Sequence, residues 1–355
     1  MPYKVAVLMG GSSFERDFSL ASGKYVLRTL EAGGHTVLPL DTTTSLVDSL
    51  RREQPDVAFI ALHGGHGEDG TVQALLEYLA IPFVGSSSGV CRTAWNKSML
   101  PVVLKSHRQG LGGAGAGART LGPTHWPRGV LLSTAAFKEY GAAAALDLIA
   151  ERLPSGYPYA VLPASGGSAL GVNRVASFEE LAPALLDALS FDDEVLVEEW
   201  VSGVELAVSV IGSGQAARAL PPIEICSRGG FFNTEVRLDP DLVEYYAPVR
   251  SSSLLGTQAS AQTGAGDEKE NAADAARILA LIEDSALEVH RSYGCRDLSR
   301  VDMFWDGAAN RVKVLEINTS PGMAEHSLLP MAAAAANIPF GQLLNELLDM
   351  ACARA

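Results

Sequence analysis

The sequence predicts a mixed α/β protein of two or three domains, and three observations carry that prediction. Near the N-terminus, Lys4-Val-Ala-Val-Leu-Met9 runs into Gly10-Gly11-Ser12-Ser13, then a helical pattern over Ser19–Leu30, then a second apolar run over Val37–Leu40. Strand, glycine-rich turn, helix and strand in that order open an α/β layer. Near the C-terminus, Arg300-Val-Asp-Met-Phe-Trp305 and Val312-Lys-Val-Leu-Glu-Ile-Asn318 flank Asp306-Gly-Ala-Ala-Asn310, a turn composition, and predict a β-hairpin. Finally, 355 residues with 47% hydrophobic and 19% charged side chains are enough for a sizeable core in a soluble globular protein.

The same composition narrows the function. A net charge of −14 argues against nucleic acid as a partner. No apolar run approaches the roughly 20 residues that span a bilayer, so no membrane association is expected. The N-terminus enters a strand pattern directly and lacks the features of a signal peptide. Cys91, Cys226, Cys295 and Cys352 are scattered without metal-ligand spacing, which fits free thiols in a reducing cytoplasm.

Taken in order, the first glycine turn lets a ligand approach backbone N–H groups near a helix N-terminus. It lacks the lysine of a P-loop and the spacing of a dinucleotide fingerprint. Val57–Leu62 is a buried-strand pattern that ends in His63-Gly-Gly-His-Gly-Glu-Asp-Gly70, followed by a helix over Thr71–Leu79. Glycines around two histidines make a loop able to wrap a ligand closely. A metal site on His63, His66, Glu68 and Asp69 is a competing reading of that loop. A helix over Gly89–Leu104 carries Lys97. Residues 110–129 are glycine- and alanine-rich and read as a mobile linker.

Tyr157–Pro163 and Val172–Val175 are strands joined by the small-residue loop Ala164-Ser-Gly-Gly-Ser-Ala-Leu-Gly171. Such a loop can lie over a triphosphate and donate backbone hydrogen bonds. A helix over Phe178–Leu189 leads to a strand over Glu194–Val201 and a further run over Leu206–Val210. Residues 251–266 read as a second solvated insertion, Asn271–Arg291 as a long helix and Ile338–Cys352 as a terminal one.

In the hairpin, Glu316 and Asn318 point the same way because strand side chains alternate faces. Asp302 joins them if the register is even. Two carboxylates and an amide oxygen are hard ligands that suit Mg²⁺ with substrate phosphates. The plain alternative is an acidic, solvated sheet face, but these residues sit inside apolar runs.

Glu316-Ile-Asn-Thr-Ser-Pro-Gly-Met323 with His326-Ser327-Leu328 resembles the C-terminal signature of the D-alanine–D-alanine ligases, members of the ATP-grasp superfamily. Gly10-Gly-Ser-Ser-x-Glu-Arg-x-x-Ser19 resembles their N-terminal motif. The resemblance implies a three-domain ATP-grasp fold with an N-terminal open α/β domain. Its parts would be 1–109, a linker at 110–129, a central unit at 130–212 and a catalytic unit at 213–355.

It also implies roles. Glu15 would bind the first D-alanine's ammonium, with a surface or capping carboxylate as the alternative, and His63 would lie near its carboxylate. Lys97 and Arg237 would meet ATP phosphates, although a helix-surface lysine is the plain reading of Lys97. Ser168 would sit on the substrate side of the grasp loop. Glu198, Glu199, Trp200, Val201 and Glu205 would take adenine and ribose. Asp302, Glu316 and Asn318 would hold one or two Mg²⁺, with Mn²⁺ able to substitute. Arg300 and the Gly322 backbone would stabilise developing charge, and Ser327 and Leu328 would bind the second substrate. The implied partners are ATP and D-alanine, and the implied assembly is a homodimer.

The chain departs from the family at Asn96-Lys97, where Asp-Lys is usual, and at two further motifs. Val161-Leu162-Pro163 stands where the family has Val-Lys-Pro, and Arg237-Leu238 where it has Lys-Tyr. The first removes a phosphate-contacting charge, for which Arg174 is a nearby candidate substitute. The second bears on the second substrate, leaving a D-hydroxy acid or another amine open. Together they also leave open a weakly active or non-catalytic homologue.

Overall fold

A computed structural model describes residues 2–42, 45–111, 124–167, 169–228, 242–256 and 265–354. The described chain builds three sheets. The first is parallel, with strands β1 (Lys4–Met9), β2 (Thr36–Asp41), β3 (Val57–Ile60) and β4 (Phe83–Val84) in the order β2-β1-β3-β4. Helices α1 (Arg16–Ala32), α2 (Leu46–Glu53) and α3 (Thr71–Tyr78) connect them. Strand β1 is buried on both faces over Val5–Leu8, as its unbroken apolar run requires in a helix-covered parallel sheet.

Helices α4 (Ser88–Trp95) and α5 (Leu100–Leu111) follow. The expected single helix over Gly89–Leu104 is therefore broken. Asn96 adopts an extended conformation, bridges to Ser165, and accepts a hydrogen bond from the Ser98 backbone at 3.0 Å. Local strand pairing and a side-chain cap compete with the helix there.

The second sheet is antiparallel, in the order β5-β8-β6-β7. It comprises β5 (Gly129–Ser133), β6 (Tyr159–Pro163), β7 (Asn173–Val175) and β8 (Glu194–Glu199). Helices α6 (Thr134–Arg152) and α7 (Phe178–Ala188) cover it. The third sheet contains β9 (Val204–Ile211), β10 (Arg218–Ala219), β11 (Ile223–Ser227), β12 (Val243–Tyr246), β13 (Leu298–Asp306) and β14 (Arg311–Asn318). Its order is β12-β11-β9-β13-β14, with β10 on β9. Residues 204–211 thus belong to the third sheet. Strand β9 is buried from Leu206 to Ile211 and lies between β11 and β13, where both its faces are covered.

The remaining helices are α8 (Ser251–Leu255), α9 (Ala265–Tyr293), α10 (Leu328–Ala335) and α11 (Phe340–Cys352). Helix α9 buries Ala275, Ile278, Ile282, Ala286, Val289 and Tyr293, a three-four spacing that keeps one stripe against the third sheet. Two expected loops are partly ordered. Leu254 of α8 is buried, and its carbonyl accepts from Trp305 Nε1 at 2.9 Å. Thr124 is buried and His125 pairs with Lys313, so the linker's end is fastened to β14. Residues 112–123 and 257–264 lie outside the described residues.

Packing does not follow chain order. Leu343, Leu344, Leu347 and Leu348 of α11 join Val5, Val7, Val57 and Phe59 of the first sheet in one core. Leu100 and Leu104 join Val208, Met303 and Trp305 of the third. Each fully buried leucine contributes about 1.5–3 kcal/mol. These cross-chain contacts hold the first and third sheets against each other.

Candidate active site

The hairpin β13–β14 supplies the floor of a cavity of about 280 Å³. Asp302 pairs directly with Glu316, and Arg300 with Asn318. Between Asp302 and Met303 the register slips, because Met303 pairs with Val314 and Leu315 is an extra residue. This β-bulge decides the site. Val312 and Val314 are buried in the core, and strict alternation would send Glu316 after them. The extra residue switches the face, so Ile317 turns inward while Glu316 and Asn318 face the cavity beside Asp302.

Both acids meet a protein cation. Arg300 grips Asp302 with two bonds, Nε to Oδ1 at 2.7 Å and Nη2 to Oδ2 at 2.6 Å. Burial works against the Arg300 charge, but the facing Asp302 outweighs it and holds its pKa above the ordinary range. Lys97 Nζ lies 3.1 Å from Glu316 Oε2 and also donates to the Gly166 carbonyl. The helix break at Asn96 makes this possible. It places Lys97 on a short 3₁₀ turn whose backbone N–H bonds the Ala164 carbonyl at 2.8 Å.

The N-terminal motif forms the opposite wall. Glu15 is buried, and a Cβ placed on Gly167 would lie 3.2 Å from Glu15 Oε1, so the glycine loop after β6 comes close to this carboxylate. His63 is buried, with Nε2 2.8 Å from Ser22 Oγ and Nδ1 3.7 Å from Glu68 Oε1. The competing metal reading of this loop does not hold. The His66 side chain is 73% exposed and pairs with Asp69, away from buried His63. Among the described residues no group of three or more His, Cys, Asp or Glu side chains is placed to hold a metal.

The end of β8 brings Glu198, Glu199, Trp200 and Val201 to the cavity, and β9 adds Glu205. Loss of solvation pushes both the Glu198 and Glu205 carboxyls up to about 8. Gly322, Ser327 and Leu328 close the remaining side. A Cβ on Gly322 would sit 2.8 Å from Ser327 Oγ, so a side chain there would displace that hydroxyl.

Fifteen of the seventeen candidate residues thus line one cavity, and the other two, Ser168 and Arg237, lie outside the described residues.

Known proteins resemble this chain along nearly its whole length. The family described as D-ala D-ala ligase C-terminus matches residues 142–349, and D-ala D-ala ligase N-terminus matches 43–86. A D-alanine–D-alanine ligase of Bordetella petrii is 35% identical over 351 residues, covering 99% of this chain and 93% of that protein. The Nitrosospira multiformis enzyme is 36% identical over 348 residues, covering 98% and 96%. The chain belongs to the D-alanine–D-alanine ligase family.

Solved structures of D-alanine–D-alanine ligase relatives carry the same fold. The Bacillus anthracis ligase complexed with ATP superposes with a TM-score of 0.69 at 26% identity, covering 99% of this chain and 98% of that one. The VanG D-Ala:D-Ser ligase of Enterococcus faecalis gives 0.72 at 24% identity, covering 99% of each, and speaks to the fold alone.

Within this ligase-family site the departure at Leu162 is fully visible. Its side chain is 9% exposed and lines the cavity, where it offers neither charge nor donor. Arg174 is not among the residues lining the cavity; its guanidinium lies 5.3 Å from the centre of the Trp200 ring. Leu238 lies outside the described residues.

Among the polar residues of the cavity, Ser22 has no role in the sequence reading, and Glu68 enters it only as a candidate metal ligand. Ser22 had a signal. Helix α1 buries Ser19, Ser22, Gly23, Val26 and Leu30, and small polar residues at the head of an otherwise apolar stripe mark a face turned to something polar. Glu68 is buried and accepts the Gly64 N–H at 3.0 Å, a contact set by the glycine turn rather than by any pattern.

The donor set fits a magnesium ion. Asp302 and Glu316 are cross-strand partners, and Asn318 shares their cavity face. Two carboxylates and an amide fall short of a complete protein cage, as expected for Mg²⁺, which keeps waters and shares substrate phosphates.

Proposed function

We propose that this protein is an ATP-dependent D-alanine–D-alanine ligase that forms the dipeptide used in peptidoglycan. The observation that carries the reading is the convergence of the fifteen candidate side chains and backbone groups on one cavity. Glu15 and His63 receive the first D-alanine, and Ser327 and Leu328 the second. The adenine and ribose lie against Glu198, Glu199, Trp200, Val201 and Glu205. Ser168 and Arg237 take the substrate-side and phosphate-side roles at the loops they occupy.

An oxygen of the first D-alanine's carboxylate attacks the γ-phosphorus of ATP, and ADP leaves. The amine of the second D-alanine then attacks the acyl carbon, loses a proton, and phosphate leaves with the C–O bond. Phosphoryl transfer needs mainly positioning and charge neutralisation. Lys97 neutralises phosphate, while Arg300 and the Gly322 N–H face the charge that builds on the transferred group and the tetrahedral carbon. Asp302, Glu316 and Asn318 would hold one or two Mg²⁺, or Mn²⁺ in its place, which when bound offset the triphosphate charge.

On the same reading the protein works in the cytoplasm as a homodimer, and no described helix is long and apolar enough to cross a membrane. The chain divides into an N-terminal substrate unit and two units that grasp ATP.

The test is phosphate release from ATP and Mg²⁺ with and without D-alanine, with product analysis. Release that requires D-alanine and yields the dipeptide supports the ligase. Release only when a D-hydroxy acid or another amine joins D-alanine moves the assignment to that second substrate, the alternative raised by Arg237-Leu238. Release from Leu162→Lys alone identifies a scaffold disabled at its phosphate wall.

A further inference from the structure

Three distant segments meet at one hydroxyl. Ser22 Oγ, 2% exposed on α1 and facing the cavity, accepts the Met323 N–H at 3.1 Å and lies 2.8 Å from His63 Nε2. We propose that Ser22 is a positioning residue that fixes the tautomer of His63 and holds the Gly322–Met323 backbone to the same point. Its catalytic consequence rests on the ligase reading, but its structural core does not.

The argument is an inventory of protons. A hydroxyl has one proton to give and two lone pairs to fill. Met323 N–H fills one lone pair, and among the described residues His63 Nε2 is the acceptor within reach of the proton. Ser22 therefore donates to Nε2. A neutral imidazole with Nε2 as acceptor carries its proton on Nδ1, which faces Glu68 Oε1 at 3.7 Å. The reverse arrangement, Nε2–H donating to Ser22, leaves the hydroxyl proton with no acceptor among the described residues.

Other serines hold the surrounding backbone. Ser13 Oγ donates to the His63 carbonyl at 2.6 Å, and Ser320 Oγ to the Leu62 carbonyl at 3.1 Å. Those two bonds fix where the His63 loop and the turn after β14 lie. Ser22 fixes the ring itself, and with it the nitrogen, Nδ1, that carries the donor towards Glu68. Removing the hydroxyl leaves the backbone clamps in place but frees the imidazole to change tautomer and releases the Met323 N–H beside Gly322.

The experiment reads His63 directly. Protein labelled with ¹⁵N-histidine, without ATP or D-alanine, is examined by long-range ¹H–¹⁵N NMR, with His63 assigned through His63→Gln. The wild type should show the Nδ1–H tautomer, and Ser22→Ala should shift the ring towards Nε2–H. Turnover of Ser22→Ala should fall about tenfold to a hundredfold with the KM for D-alanine changed far less, as for a misplaced group. Ser22→Thr should restore both the tautomer and most of the turnover.

An Nε2–H ring in the wild type overturns the proposal without any variant being needed. A Ser22→Ala ring that keeps its tautomer overturns it as well. A changed tautomer with unchanged turnover overturns the positioning role. Because the NMR arm uses no substrate, failure of the ligase reading appears separately, as absent D-alanine-dependent turnover in the wild type.

Discussion

Arg300–Asp302 and Arg354–Asp297 are both two-pronged arginine–carboxylate pairs, one in the cavity wall and one in the joint between the first and third sheets. Their surroundings differ. Asp297 has a fully buried side chain, and it also accepts the Gly85 N–H at 2.8 Å, while Arg354 donates to the Phe83 carbonyl at 3.1 Å. The carboxylate is the enclosed member, since 30% of the Arg354 side chain is exposed, and the pair ties Arg354 to β4 and to the start of β13. Asp302 keeps 20% of its side chain exposed and Arg300 16%, towards open cavity. Lys97 and Glu316 repeat that arrangement. A closed pair stabilises the fold, whereas an open pair holds charge ready for a ligand. The same contrast appears in the acids. Glu198 and Glu205 in the cavity wall are raised to about 8 by lost solvation. Burial also works to raise structural Glu224, but bonds from Arg250 outweigh it and draw the carboxyl down to about 2.

The contrast breaks most visibly at the closed pair. Asp297→Ala should cost about 3 kcal/mol of stability, because it leaves the buried Gly85 N–H without its acceptor and releases Arg354. Urea unfolding measures this, and turnover per folded molecule should stay within about twofold of wild type. A stable variant with lost turnover would reverse the assignment of the two regions. At the open pairs the balance inverts. Glu316→Gln should lower turnover by about 10²–10³-fold, the scale of losing one electrostatic contact in a reacting site, with little change in urea midpoint. Nucleotide binding should survive better than turnover, and equal activity would remove Glu316 from the metal site.

A smaller effect is expected from returning charge to the wall. Leu162→Lys should tighten ATP binding about tenfold, about 1.4 kcal/mol, read by calorimetry. No change would mean that this part of the wall does not reach the phosphates. The mildest probe is pH. A carboxyl raised from 4.5 to about 8, as at Glu198, leaves the folded state holding more protons than the unfolded state between those values. That contribution is fully present below pH 4.5 and is lost as pH rises to about 8. Glu224, lowered from 4.5 to about 2, contributes above 4.5 and loses its contribution as pH falls towards 2. Urea midpoints should therefore flatten between pH 4.5 and about 8 in Glu198→Gln and between 4.5 and about 2 in Glu224→Gln. Unaltered pH profiles in both variants would erase the distinction drawn between the two kinds of acid.

Much of the site is legible before any coordinates. Strand β1, helix α1 and the hairpin follow from apolar runs and turn residues, since strand and helix periodicities are local properties. Other elements resist. Helix α6 is alanine-rich and carries Gly141 in a non-helical conformation, so its pattern lacks contrast. Helix α10 begins at Leu328, within a turn whose residues read as loop. The break at Asn96 depends on pairing with Ser165, which is distant in sequence.

The sequence by itself determined the chemical inventory and its order: the glycine turn with Glu15, the histidine loop, Lys97, the small-residue loop, the acidic end of β8 and the hairpin acids. It also exposed the apolar substitution at Leu162. Tertiary structure was needed to show that the bulge at Leu315 turns Glu316 out of the core, and that Lys97, from a distant segment, meets that acid. Only packing places α11 on the first sheet and Ser22 between His63 and Met323. Side-chain alternation is set within a few residues, whereas register and the choice of ion-pair partner are settled by which distant surfaces bury each other.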